Sequence, residues 1–180
     1  FEFYRKELLS HLEKQPGKGF FLMAELEKKG LFQSIITRRI FGLPGRAGCK
    51  NVIELHGNVY DNFCPHCGRR YPMEYIRDSV RVPLCESCKT PVRPRVCLFG
   101  EMVDNGVITR AAEEIQKAEV LLVLGTTLSS HLCSQLIDYY EGDKLILVNE
   151  ETHHADKFAD IVIHERVDVM LERLQKELGD

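Results

Sequence analysis

Apolar residues fall at helical spacing twice near the start of the chain. Tyr4, Leu8, Leu9 and Leu12 mark a helix over residues 2–14, closed by Pro16-Gly17. Phe20, Met23 and Leu26 mark a second over 19–29, closed by Lys28-Lys29-Gly30, so the opening reads as a helical hairpin. The β-branched run Ser34-Ile35-Ile36-Thr37 predicts a short buried strand, followed by a loop rich in Gly and Arg from Arg38 to Gly48. Val52 to Leu55 is a second short apolar piece that leads directly into His56.

Residues 58–95 lose this rhythm and carry cysteine, proline and charge, with room only for short strands. The regular pattern then returns: a strand over Arg95–Phe99, a helix over Val107–Lys117, a strand over Val120–Leu124 ending at Gly125, and a helix from about Ser129 to Tyr140. Strands over Leu145–Val148, ending at Asn149, and Ile161–Ile163 follow, and then a helix over Val167–Leu178. Continuous apolar strands alternating with amphipathic helices predict an α/β fold, a parallel sheet with helices on both faces, and residues 58–95 read as a module inserted into it.

Composition narrows the class. The 180 residues are 44% hydrophobic, which suits one globular domain with a small added module. The net charge is −3 with both signs interspersed, so no electrostatic footprint for nucleic acid or an anionic membrane is present. No apolar run approaches the roughly 20 residues of a membrane span, and the N-terminus lacks the layout of a signal peptide. The expectation is a cytoplasmic protein acting on a small molecule or another protein. The chain begins with Phe1 rather than Met, so an upstream segment is expected.

Four of the seven cysteines form two C-x-x-C pairs, Cys64/Cys67 and Cys85/Cys88, the spacing of a two-knuckle zinc site. Four thiolates leave no coordination position for water, so the expected ion is structural. His66, inside a knuckle, reads as a solvated loop residue. Cys49, Cys97 and Cys133 read as small buried hydrophobes.

In open parallel sheets, ligands bind beyond the carboxyl ends of the strands, which directs attention to Thr37-Arg38-Arg39, Phe99-Gly100-Glu101, Gly125-Thr126-Thr127 and Asn149-Glu150-Glu151. Such turns use Gly and hydroxyl residues merely to turn and cap as well as to approach a nucleotide. His56 is equally two-sided. A histidine after a short apolar strand is more often a hydrogen-bonded core residue than a base, although its ordinary pKa of about 6.5 suits proton transfer.

Context separates these readings. Glu54-Leu55-His56-Gly57, the paired knuckles, Arg93-Pro94-x-Val96-x-x-Phe99-Gly100-Glu101, Gly125-Thr126-Thr127-Leu128 and Val148-Asn149-x-Glu151-x-His153 occur in one order. Upstream lie Phe3-Tyr4-Arg5, Ala24-Glu25-Leu26-Glu27 and Ile36-Thr37…Gly42-Leu43…Arg46-Ala47-Gly48. In that order they resemble the sirtuin family of NAD-dependent protein deacylases, over nearly the whole chain.

The resemblance implies a Rossmann-like NAD-binding domain, residues 1–57 and 96–180, and a zinc-ribbon module, residues 58–95, with an acylated protein or peptide entering between them. In that chemistry the acyl oxygen attacks the nicotinamide ribose, nicotinamide leaves, the acyl group passes to ADP-ribose, and a histidine activates a ribose hydroxyl. His56 matches that base. The resemblance assigns NAD to Thr37, Arg38, Arg39, Ile40, Gly125, Thr126, Thr127, Asn149, Glu150, Glu151 and Val167. It assigns the substrate backbone to Val96, Phe99, Gly100 and Glu101, and one zinc ion to Cys64, Cys67, Cys85 and Cys88.

The chain also departs from the family pattern. Thr37-Arg38-Arg39-Ile40-Phe41-Gly42-Leu43-Pro44 stands where the family carries Thr-Gln-Asn-Ile-Asp-Gly-Leu-His, and neither Arg39 nor Phe41 offers the acceptors of that Asn and Asp. Phe20 replaces a histidine, and Ser129-Ser130-His131-Leu132 lacks a valine and a proline. The family's first strand, with its Gly-Ala-Gly turn and Pro-Asp-Phe-Arg segment, does not occur in the sequence. Arg38 and Arg39 are suited to an anionic group but read first as a solvated loop pair.

Two functions therefore stand side by side: a deacylase, and a catalytically impaired binder of NAD, ADP-ribose or a protein partner. A zinc-ribbon binder of nucleic acid, resting on the cysteines alone, is disfavoured by the charge. The oligomeric state is left open.

Overall fold

Three strands, β6 (Val120–Leu124), β7 (Lys144–Asn149) and β8 (Ile161–His164), pair in parallel in that order, in register from Val120 opposite Lys144 to Asn149 opposite His164. A strand's period of two sends alternate residues to opposite faces. Here Leu122, Leu124, Ile146, Val148 and Ile163 pack into one core cluster, while Leu121, Val123, Leu145 and Leu147 pack into another. Helices α2 (Lys18–Lys28) and α7 (Val167–Leu178) cover the first face with Leu22, Met23, Leu26, Met170 and Leu171. The second is covered by Ile137, at the end of a helix over His131–Ile137, by Tyr140, and by Ala155 in a 3₁₀ turn over His154–Phe158. Strands covered on both sides must be apolar throughout, as the runs Val120–Leu124 and Leu145–Val148 are.

This computed structural model describes residues 1–126, 128 and 130–178. It divides into two compact units. Unit 1 holds Phe1–Gln15, Thr37–Leu43 and Glu54–Val103, and unit 2 holds Pro16–Ile36, Pro44–Ile53 and the chain from Asp104 onward.

Unit 1 is built on an antiparallel sheet in which β3 (Gly57–Phe63) lies between β4 (Arg70–Tyr71) and β5 (Arg93–Val96). Its core joins Val59, Tyr71, Val92, Val96, Cys64 and Cys85 to Met73 and Ile76 of α4 (Met73–Arg77) and to Leu12 near the N-terminus. Helix α1 (Glu2–Glu7) passes into a 3₁₀ turn at Leu9–His11 rather than continuing to residue 14. The Tyr60 hydroxyl donates to the Leu12 carbonyl at 3.0 Å and fixes the end of that segment. The two halves of the expected hairpin thus serve different cores, Leu12 in unit 1 and Leu26 in unit 2.

Two further expectations are corrected. The strand anticipated over Arg95–Phe99 runs from Arg93 to Val96 and belongs to unit 1's antiparallel sheet, opposite Gly57–Phe63. The helix anticipated from Ser129 to Tyr140 is α6, His131–Ile137. Tyr140 lies beyond it, with its hydroxyl 2.7 Å from the Glu119 carbonyl and accepting from the Lys144 amide at 2.9 Å. Among the described residues no helix is long and apolar enough to cross a membrane.

Candidate functional site

The two knuckles are built alike. In the first, the Cys64 amide donates to Arg69 O at 2.8 Å and the Gly68 amide to Cys64 O at 2.9 Å. In the second, the Cys85 amide donates to Thr90 O at 2.8 Å and the Lys89 amide to Cys85 O at 2.9 Å. The residue after each second cysteine takes the left-handed conformation, Gly68 at φ 74° and Lys89 at φ 57°, which lets the chain turn back over the pair. All four sulfurs lie within 4.8 Å of one another, with Cys64 to Cys88 at 3.4 Å, Cys67 to Cys85 at 3.6 Å and Cys85 to Cys88 at 3.4 Å. A tetrahedral zinc ion with Zn–S of about 2.3 Å needs sulfurs roughly 3.8 Å apart, so donor set and spacing both fit. The Tyr71 hydroxyl donates to Cys85 Sγ at 3.1 Å and accepts the Glu86 amide at 2.9 Å, a neighbour that no spacing rule reveals. Of the other thiols, Cys49 is buried as expected, while Cys97 and Cys133 are only half-buried.

His56 occupies the short link between β2 (Val52–Glu54) and β3. Just before it, the Leu55 amide donates to Thr37 O at 2.9 Å, which ties β2 to the end of β1 (Ile35–Thr37). The His56 carbonyl in turn accepts the Cys97 amide at 3.0 Å. Gly57 makes this link possible. Its φ is 74°, and a Cβ there would sit 1.9 Å from Arg95 O, so no side chain fits. The histidine is therefore fixed by backbone bonds on both sides.

Around the imidazole, Arg38 Nε lies 3.5 Å from His56 Nε2, and His56 Nδ1 is buried with no partner among the described residues. Burial of the ring, with Arg38's positive charge second, holds the imidazole below its ordinary value and favours the neutral form a base requires. A buried polar atom left unpaired costs about 1–3 kcal/mol, a penalty that marks functional corners rather than stable ones. Glu54 turns both carboxylate oxygens to Asn58 Nδ2, at 2.8 and 2.9 Å, and burial raises its pKa despite that donor. Glu54 belongs to the Glu54-Leu55-His56-Gly57 motif, but its pairing with Asn58 carries no sequence signal: the spacing of four imitates a helical pair, yet it spans a strand-to-strand link.

The structure places the remaining expected residues in three groups. Thr37, Arg38, Arg39 and Ile40 follow β1 in unit 1: Thr37 Oγ1 accepts the Arg39 amide at 3.0 Å, and Ile40 O accepts the Val59 amide at 2.9 Å. Phe41, where the family pattern has an acid, packs against unit 1's core and stacks on His11 with ring centroids 6.2 Å apart.

In unit 2, Gly125, Thr126 and Asn149 meet at the carboxyl ends of β6 and β7. The Gly125 amide donates to Val148 O at 2.9 Å and Asn149 Nδ2 to Thr126 O at 2.8 Å, and a Cβ at Gly125 would lie 3.7 Å from Val167 Cγ2. Glu150 and Glu151 are exposed beside them. Thr127 and Ser129 lie outside the described residues.

Val96, Phe99, Gly100 and Glu101 form the third group. Val96 ends β5, and Glu101 then folds back: Arg93 donates to it from Nη1 at 2.7 Å and Nη2 at 2.9 Å, and Leu98 from its amide at 2.9 Å. Phe99 stands fully exposed on that turn. Arg93 sits in a quoted motif, but its clamp on Glu101 becomes visible only once the turn is formed.

The Sir2 family pattern matches residues 1–131. An NAD-dependent protein deacetylase of Clostridium acetobutylicum is 36% identical over 173 residues, covering 96% of this chain and 70% of that protein. One of Thermotoga maritima is 35% identical over 186 residues, covering 99% and 76%. A solved structure of Sir2 with a p53 peptide and NAD+ superposes with a TM-score of 0.89 at 33% identity, covering 99% of this chain and 76% of that one. Another, in complex with an inhibitor, 2'-O-acetyl-ADP-ribose and a deacetylated p53 peptide, gives 0.88 at 33%, covering 99% and 78%. On sequence and on fold alike, the chain belongs to the Sir2 family, the sirtuins.

Proposed function

We propose that this protein is an NAD-dependent protein lysine deacylase that transfers an acyl group from lysine to ADP-ribose and releases nicotinamide. The observation that carries the reading is His56, a neutral-leaning imidazole fixed by backbone bonds on both sides, in a chain whose relatives are named deacetylases. In this reading the acyl oxygen displaces nicotinamide from the ribose, and His56 takes the proton of the ribose hydroxyl that continues the reaction. Gly125, Thr126, Asn149 and Val167, with Thr127, Glu150 and Glu151, are assigned to the nucleotide, and Thr37, Arg38, Arg39 and Ile40 to its reacting end. Val96, Phe99, Gly100 and Glu101 are assigned to the substrate backbone. Cys64, Cys67, Cys85 and Cys88 hold zinc, which supplies no chemistry beyond fixing the fold. Residues 1–57 and 96–180 act as the NAD-binding domain and 58–95 as the zinc module. Seven cysteines, four of them paired for zinc and none in a disulfide, suit a reducing cytoplasm.

Incubation with NAD and an acetyl-lysine peptide should yield nicotinamide, the deacetylated peptide and acetylated ADP-ribose in equal amounts. Bound NAD without turnover on acetyl or any other acyl peptide would overturn the enzyme reading. It would leave the second reading, a binder of NAD or ADP-ribose. One observation favours that alternative: Phe41 is spent on the core of unit 1.

A further inference from the structure

We infer that Arg38 is the positioning residue of His56, capping Nε2 and so fixing the ring proton on Nδ1 until a substrate hydroxyl takes its place. A guanidinium can only donate, so the Arg38 Nε–H facing His56 Nε2 at 3.5 Å requires a lone pair on Nε2, and the neutral ring must carry its proton on Nδ1. Nδ1 is the atom buried without a partner, so no other hydrogen bond among the described residues selects the tautomer. Among the described residues Arg38 has no carboxylate partner either. By contrast Arg93 and Arg95 in unit 1's sheet each pair with an acid, Glu101 and Asp61. Its charge is thus left to act on the imidazole.

The other charged or titratable groups around this link are directed elsewhere. Glu54 is bound by Asn58, Arg95 by Asp61, and the Cys97 thiol points to Glu101 O at 3.3 Å. At 3.5 Å the cap is at the long end of a hydrogen bond, so a hydroxyl arriving at Nε2 exchanges a weak contact for a better one. Arg38 would hold the base in its competent tautomer without competing strongly for it. The ordering of a base by a second group is common in nucleophile activation, but here the orienting group is a cation acting on the accepting nitrogen itself.

The catalytic consequence rests on His56 being the base, whereas the tautomer does not. Long-range ¹H–¹⁵N correlation spectra of the full chain, with His56→Ala to assign the signal, read the tautomer and the titration midpoint in the absence of turnover. The expected result is a Nδ1–H imidazole titrating below the ordinary value. Arg38→Gln should move the midpoint upward and carry the acid limb of kcat/KM with it, while Arg38→Lys, which keeps the charge, should hold the midpoint near its original position. An Nε2–H tautomer in the unsubstituted protein, or an unchanged midpoint in Arg38→Gln, would overturn the inference. Because Arg38 is exposed, these variants should fold. If the protein turns over no acyl peptide at all, the deacylase reading fails while the spectra still decide the role of Arg38.

Discussion

The zinc knuckles and the His56 link both lie in unit 1 and both depend on glycine-like turns, but they are satisfied to different degrees. Each knuckle closes its own backbone bonds, and Tyr71 ties Cys85 to the Glu86 amide. Among the described residues, no buried side-chain nitrogen or oxygen of either knuckle lacks a partner, whereas His56 Nδ1 does, and Arg38 beside it has no acid to neutralise it. A structural centre saturates its valences internally. A reacting centre keeps one open for a ligand, at a cost that the surrounding backbone must carry.

The largest effect should come from breaking the saturated side. Cys64 and Cys85 are fully buried in unit 1's core, so zinc and core form one cooperative object. Stripping zinc with a chelator, or Cys85→Ser, should remove on the order of 10 kcal/mol of zinc-linked folding free energy. Circular dichroism with metal analysis checks this, at one zinc per chain. A chelated protein that keeps its unfolding transition would show that the core stands without the ion.

His56→Ala probes the open side. It should lower turnover about 10²- to 10⁴-fold, the usual contribution of a positioned base, and leave the thermal midpoint nearly unchanged. A large loss of stability with modest loss of turnover would instead make His56 a core residue. Gly57→Ala should be smaller in free energy but should act on structure: a Cβ 1.9 Å from Arg95 O, at φ 74°, forces strand β5 away. About 3 kcal/mol of destabilisation is expected from denaturant midpoints, beyond the roughly 1–2 kcal/mol of left-handed strain alone.

The smallest effect concerns Glu101, held at about 2 first by the Arg93 hydrogen bonds and then by the Leu98 amide, against an ordinary 4.5. A carboxylate with a depressed native pKa contributes stability above its unfolded value and loses it as pH falls towards the folded one. The stability gap between the unsubstituted protein and Glu101→Gln should be constant above about pH 5 and shrink as pH falls through about 2. A gap independent of pH would remove the clamp from the account.

Much of unit 2 was legible because its signals are local. Helical spacing marks Val107–Lys117 and Val167–Leu178, and apolar runs mark β6 to β8. The cysteine spacing likewise pointed to the cluster that the fold assembles. Unit 1 was less legible because its elements are set by distant partners. The strand at Arg93–Val96 reads with the parallel strands that follow it in sequence, and only its register with Gly57–Phe63 puts it in the antiparallel sheet. Helix α4, five residues long, is too short to show a period. Around His56, the sequence supplied the residue and its neighbours in the chain, but the approach of Arg38 to Nε2 and the exclusion of any side chain at Gly57 arise from contacts that spacing cannot express.

The Arg93–Glu101 clamp has an entropic consequence. Residues 97–101 are ordered by three hydrogen bonds to one carboxylate, while Phe99 at their tip buries nothing. Fixing a residue's backbone costs about 1–2 kcal/mol, and for this turn that cost is met when the protein folds. A chain docking along it would surrender only its own freedom, and the exposed ring would be waiting in place.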